Sequence, residues 1–278
     1  MAVCDRSRRD YVSKLAARFK SRVDCPTAPP THADTAAQGT LRRWRNLRVL
    51  RFRPMNSVYW NRYASRTARA VSDLASAEPF GWTQYPSHGP GAELLGQPRT
   101  ALELGCGHGD AVAALAMRGV DATGVDVSGV QCEHACRRWG HIAGARFEHA
   151  DVLEFLTASG RSWDVIYSIW GAIWFLDPAV VLPLLRERLT RGGKLVFAHA
   201  PPVPGAYGIQ GTYGAPFSAE PQWVYRWSYE PEMWAELLHD NGFRTLHARV
   251  EAAPDPGKLG TLIVEAERPG PARSGHDE

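Results

Sequence analysis

The sequence predicts an α/β fold, a mostly parallel sheet with helices on both faces, and three observations carry that prediction. Short apolar runs alternate with longer helix-periodic segments between residues 100 and 199, the pattern of repeated strand–helix units. The run Ala101-Leu102-Glu103-Leu104 stops at three alternating glycines, Gly105, Gly107 and Gly109, and an alanine-rich segment to Arg118 follows. That order reads as strand, tight turn, helix. Two later apolar runs close on acids, at Asp126 and Asp151.

Taken in order, the spacing predicts strands over 100–104, 120–125, 145–149, 164–168 and 194–199. Helices are expected over 109–118, 128–139, 152–158 and 178–190. Ser128 is placed to cap the second of these, and Asp177-Pro178 supplies a cap followed by proline at the first helical position. A further helix over 228–241 stops at Gly242, and two alternating runs, 243–250 and 260–267, flank the turn sequence Pro254-Asp255-Pro256-Gly257. Ahead of the first strand, Ser57 to Ser76 carries apolar and aromatic residues at helical spacing. Residues 79–98 read as an entry loop rich in glycine, proline and aromatics.

Two segments break the pattern. Residues 200–229 form an aromatic-rich insertion of the length that lids have. Residues 1–54 hold 13 basic and 4 acidic side chains, against 19 and 25 in the remainder, so the net charge of +3 conceals a basic extension on an acidic body. The extension is read as disordered. A binding arm, an Arg-rich transit sequence and a stretch upstream of a start at Met55 are alternative readings of it. Residues 269–278 read as a polar tail.

A hydrophobic content of 44% is that of a globular chain, and no apolar run is long enough to span a membrane. The acidic body argues against a broad nucleic-acid-binding face. Five cysteines without a C-x-x-C spacing suggest reduced thiols and a cytoplasmic location. Cys132 and Cys136 lie one helical turn apart, but no second ligand pair accompanies them, so no metal site is expected.

The Glu103-x-Gly105-x-Gly107-x-Gly109 loop, Asp126, Asp151, the run Trp163 to Ser168 and the turn Leu189-Thr190-Arg191-Gly192-Gly193-Lys194-Leu195 together resemble the class I S-adenosylmethionine (SAM)-dependent methyltransferases, small-molecule type. The resemblance spans roughly 100–267. It implies a Rossmann-like, seven-stranded, mostly parallel sheet with an antiparallel last strand. It implies SAM as cofactor, with Asp126 on the ribose hydroxyls, Asp151 and Val152 at the adenine, and Glu103 orienting the loop and the methionine end. Tyr63, Gly105, Cys106, Gly107, Val127 and Ile169 complete the expected cofactor contacts.

The expected substrate is a small aromatic or apolar molecule methylated on O, N or C. Enzymes of this kind that modify DNA bases carry Pro-Pro-aromatic after strand four. Here the residues are Ser168-Ile169-Trp170-Gly171, so no nucleic-acid substrate is expected. His88, His199 and Tyr207 are the candidate proton-accepting groups, with His108 and Tyr213 behind them. A dinucleotide-dependent oxidoreductase and a non-catalytic SAM-binding protein remain alternatives. Oligomeric state is left open.

Overall fold

The computed structural model describes residues 57–67, 80–213 and 223–270, with backbone alone at Thr212 and Tyr213. The basic extension, the second half of the predicted 57–76 helix, and residues 271–278 of the tail lie outside the described residues.

Helix α1 (Ser57–Thr67) is followed by a 3₁₀ turn (Ala92–Leu95) and strand β1 (Thr100–Leu104). Then come α2 (Asp110–Ala116), β2 (Asp121–Asp126), α3 (Gly129–Trp139), β3 (Ala145–His149), α4 (Val152–Ala158) and β4 (Trp163–Ile169). A second 3₁₀ turn (Ala172–Phe175), α5 (Pro178–Arg188) and β5 (Leu189–His199) complete the alternating part. The hairpin strands β6 (Gly208–Tyr213) and β7 (Trp223–Ser228), helix α6 (Pro231–Asp240), and strands β8 (Arg244–Glu251) and β9 (Thr261–Glu267) follow.

Seven strands form one sheet in the order β3-β2-β1-β4-β5-β9-β8. Strands β1 to β5 pair in parallel, and β9 runs antiparallel to both β5 and β8. The inner strands β1, β4 and β9 are buried over most of their length, whereas edge strands β3 and β8 carry exposed residues throughout. Successive residues of β5 serve opposite faces. Leu195 and Phe197 join one core cluster with Leu102, Leu104 and Ile166, while Val196 and Ala198 join the other with Ala101, Val165 and Tyr167.

The expected caps form. Ser128 Oγ accepts from Gln131 N, and Asp177 Oδ1 accepts from Ala179 N at 3.0 Å. Gly242, with φ +75°, ends α6. Two expectations change. The segment Leu189–Gly193, read as a turn, is the bulged start of β5, where the pairing with β4 slips between Trp163 and Val165 and Gly192 N donates to Arg268 O. The 200–229 insertion is not a loop without regular structure. Its described residues include a two-stranded antiparallel sheet separate from the main one, because Gly208 to Tyr213 and Trp223 to Ser228 pair in full register.

Gly109 shows what the glycine turn requires. Its φ is +77°, and a Cβ there would strike the Phe147 ring and lie 2.9 Å from Ala135 Cβ. The missing side chain lets α2 and α3 close on β3. Gly109→Ala combines left-handed strain with overpacking, so urea denaturation should show a loss of about 3 kcal/mol. Gly119→Ala, with φ +82° and open space around it, should lose about 1 kcal/mol from strain alone. Equal losses in the two variants would remove the packing role.

Candidate active site

The carboxyl ends of β1 to β5 lie along one edge of the sheet, so the loops that follow them meet there. Open α/β sheets bind ligands at this edge. The glycine loop is fastened to the tip of β2: Gly105 N and Cys106 N both donate to Val125 O, at 2.8 and 3.1 Å. Asp126 sits at the centre. Its Oδ2 accepts from Gly107 N at 2.9 Å, its Oδ1 from Ser128 N at 2.8 Å, and its backbone carbonyl from Ala150 N at 3.1 Å. Asp126 thus ties the loops after β1, β2 and β3 together, the first two through its half-buried carboxylate and the third through its backbone carbonyl.

Asp151 caps α4, its Oδ1 accepting from Leu153 N at 2.8 Å and Glu154 N at 3.3 Å. Glu103 is fully buried, and Tyr167 OH donates to its Oε2 at 3.5 Å. Phe80 and Trp82 of the entry loop pack on that tyrosine ring. Glu103 therefore lies beneath the entry loop, while Asp126 and Asp151 face the loop crevice at half-buried positions.

Gly105 and Gly109 make room for the protein's own packing. A Cβ on Gly105 would meet Ala172 N at 2.7 Å, so the space serves the turn after β4. Cys106 is 1% exposed and packs under the loop against Gly124; burial, first, and then the Asp126 and Glu103 carboxylates push its thiol far above the ordinary range. Val127, Val152 and Ile169 likewise turn their side chains into the core. At these four positions the backbone is what a ligand can reach.

The roof is built from α1, the second 3₁₀ turn and the hairpin. Tyr59, Trp174, Phe175, Ala200 and Val224 form one buried cluster. Trp60 meets Phe175 edge-on at 5.0 Å and Tyr63 at 5.7 Å. Ser128 Oγ donates to Asn61 Oδ1 at 2.7 Å, fixing α1 to the cap of α3 beside Asp126. Tyr63 is thereby held half-buried near the crevice.

The proton-acceptor candidates separate. His88 Nε2 is 2.7 Å from Ala252 O, on the β8–β9 connection, so that nitrogen carries the hydrogen there. Tyr207 is exposed and its hydroxyl donates to Glu230 Oε1. His108 stacks on His134. His199, at the end of β5, is buried within the aromatic nest of Trp174 and Trp234.

Three features carried no sequence signal. Trp170 adopts φ +53°, a conformation rare for a bulky residue, held by Trp170 N to Ala198 O at 2.7 Å and Trp170 Nε1 to Trp82 O at 2.9 Å. Arg226 of β7 is buried, its Nη2 donating to Gln210 Oε1 at 3.1 Å and its guanidinium lying 5.2 Å over the Trp174 ring. Asn61 is the third, because a tether between elements 67 residues apart has no local pattern.

A glycine loop seated on β2, acids at successive strand tips, and an antiparallel β9 between β5 and β8 define the class I SAM-dependent methyltransferase fold. An all-parallel dinucleotide sheet has a parallel strand where β9 lies. Residues 101–193 match the family model described as a methyltransferase domain.

A trans-aconitate 2-methyltransferase of Delftia acidovorans is 35% identical over 141 residues, which are 50% of this chain and 47% of the relative. The chain spans less than half the length of the curated relatives it matches. Among solved structures, a glycopeptide N-methyltransferase complexed with sinefungin aligns at TM-score 0.51 and 20% identity, over 64% of this chain and 84% of that one. The Burkholderia thailandensis 1,6-didemethyltoxoflavin-N1-methyltransferase, with 1,6-didemethyltoxoflavin and S-adenosylhomocysteine bound, aligns at 0.50 and 21%, over 88% and 94%. At these identities the two structures support the fold. Among the described residues no helix is long and apolar enough to cross a membrane.

Proposed function

We propose that the protein is a SAM-dependent methyltransferase acting on a small molecule in the cytoplasm. The observation that carries this reading is Asp126. Its carboxylate accepts from Gly107 N and Ser128 N, which holds it at the tip of β2, the place where an acid meets a ribose diol in sheets of this kind. Asp151 uses Oδ1 on the helix cap, and its Oδ2 suits an exocyclic adenine amine beside Val152. Glu103 under the entry loop suits the ammonium end of the methionine moiety, with Gly105, Cys106, Gly107, Val127 and Ile169 offering backbone and Tyr63 an apolar wall.

When bound, SAM supplies an electrophilic methyl group for in-line displacement. The chain's own part is alignment and exclusion of water. The aromatic roof of Tyr59, Trp60, Trp174 and Phe175 provides the dry wall, and Ser128 with Asn61 positions it. A small substrate suits the crevice because α1 and the hairpin cover the edge that an extended nucleic acid would need. The free thiols Cys106, Cys132 and Cys136 suit a reducing compartment.

Calorimetry with SAM and S-adenosylhomocysteine, followed by transfer of labelled methyl to a panel of small carboxylic acids and heteroaromatics, tests the reading. Micromolar cofactor binding and formation of S-adenosylhomocysteine with a panel member are expected. Absence of cofactor binding at millimolar concentration would sink it. Binding without any transfer would favour a non-catalytic SAM-binding protein.

A further inference from the structure

His199 closes β5 at the ligand edge and is 1% exposed. Its Nδ1 lies 2.8 Å from the Ala200 carbonyl oxygen. A carbonyl can only accept, so Nδ1 carries the hydrogen, and Nε2 of the neutral ring is a bare acceptor. That Nε2 is buried and has no hydrogen-bond partner. The imidazole lies parallel to the Trp174 indole, centroids 5.4 Å apart at 2°, and 5.8 Å from the Trp234 ring. The Nε1–H groups of Trp174 and Trp234 are buried without partners as well.

Buried polar atoms without partners are costly and rare in folded proteins. Here the imidazole's own bare acceptor lies in one ring cluster with two such indole donors. The nest adjoins the cofactor loop: Gly105 packs against Ala172, the first residue of the short turn that also carries Trp174. Trp174 N donates to Gly171 O at 3.2 Å, which fixes that turn. Its place at the tip of β5, next to β4, is where a methyl acceptor would lie beside a cofactor on β1 and β2.

From this juxtaposition, the structure assigns the His199–Trp174–Trp234 nest as the recognition site for the polar edge of the methyl-accepting substrate. His199 Nε2 takes a hydrogen bond from a neutral N–H or O–H of that molecule. An acceptor atom on the same molecule, a carbonyl oxygen or a ring nitrogen, answers the indole N–H groups. The substrate class is therefore a flat, neutral lactam-like or azole-like heterocycle, narrower than the aromatic or apolar molecule expected from sequence. The assignment deepens the methyltransferase reading and rests on it for the identity of the ligand as substrate.

The test uses 2-pyridone, which has an N–H beside a carbonyl, and N-methyl-2-pyridone, which lacks the donor. Both are titrated into the full chain saturated with S-adenosylhomocysteine and followed by ¹⁵N NMR of the imidazole and indole nitrogens. Saturation is measured separately by calorimetry, so failure of the cofactor reading registers there and not in the titration. The expected result is that 2-pyridone moves the His199 Nε2 signal upfield and shifts the Trp174 or Trp234 indole N–H. N-methyl-2-pyridone should bind at least tenfold more weakly. Equal binding of the two probes, or no movement of these signals, which would leave the nest filled by water alone, overturns the assignment. His199→Phe, checked for folding by near-ultraviolet circular dichroism, should lose 2-pyridone binding at least tenfold and keep its affinity for S-adenosylhomocysteine.

Discussion

Asp126→Ala is expected to weaken SAM binding by at least about 100-fold, from loss of two charge-assisted hydrogen bonds of about 1.5–3 kcal/mol each. The same change removes the acceptors for Gly107 N and Ser128 N, so the glycine loop loosens as well. The sheet does not depend on those bonds, since β1 and β2 keep their register from Thr100↔Asp121 to Leu104↔Val125. The variant should therefore melt cooperatively, with a modest fall in Tm. Asp126→Asn is a sharper comparison. Its amide keeps the shape, but one end turns a donor toward a backbone N–H, so it too should bind SAM poorly. Calorimetry showing wild-type affinity in either variant would remove Asp126 from the cofactor site.

Acid should destabilise this protein through His199. Burial, first, and then the nearby Arg226 charge lower its pKa from 6.5 to about 4, against a raising contribution from the Ala200 hydrogen bond. The folded protein holds this ring neutral, while the unfolded chain takes up a proton as pH drops through 6.5. Stability from this group is therefore complete above about pH 6.5 and is lost progressively down to about pH 4. At 1.36 kcal/mol per unit, the loss amounts to about 3 kcal/mol. Urea denaturation at pH 7 and pH 4 should show a steeper fall for the wild type than for His199→Gln, which has nothing to titrate at that position. Parallel losses in the two proteins would mean that the ring already carries its proton in the fold.

The alternating core was legible because local patterns determine it. Apolar runs ending at Leu104, Asp126 and His149, the glycine turn, and the caps at Ser128 and Asp177 are each fixed by neighbours in sequence. That Glu103, Asp126, Asp151 and His199 fall at or near the carboxyl ends of their strands follows from the topology those runs imply. Strand order, with β9 entering between β5 and β8, came from resemblance and not from periodicity.

What stayed hidden depends on contacts between distant segments. The purpose of the bare Gly105 is set by Ala172, 67 residues away, and that of Gly109 by Phe147 and Ala135. The hairpin at 208–228 went unread although Trp223, Tyr225 and Trp227 alternate at strand spacing; the proline- and glycine-rich run from Pro201 to Gly208 and the long connection between its arms hid the partner strand. Arg226 and Gln210 meet only once that hairpin closes. His88, Tyr207 and His199 looked alike as candidates, and their surroundings alone tell them apart.

The β6–β7 pair satisfies its ladder within itself and shares no strand register with the seven-stranded sheet. Insertions, deletions or exchanged side chains in this arm leave the Rossmann-like scaffold's register intact. Under the proposed function, selection can thus retune acceptor preference through this arm while the strand tips that carry Asp126 and Asp151 keep their register, which would make that preference the most evolvable trait of this chain.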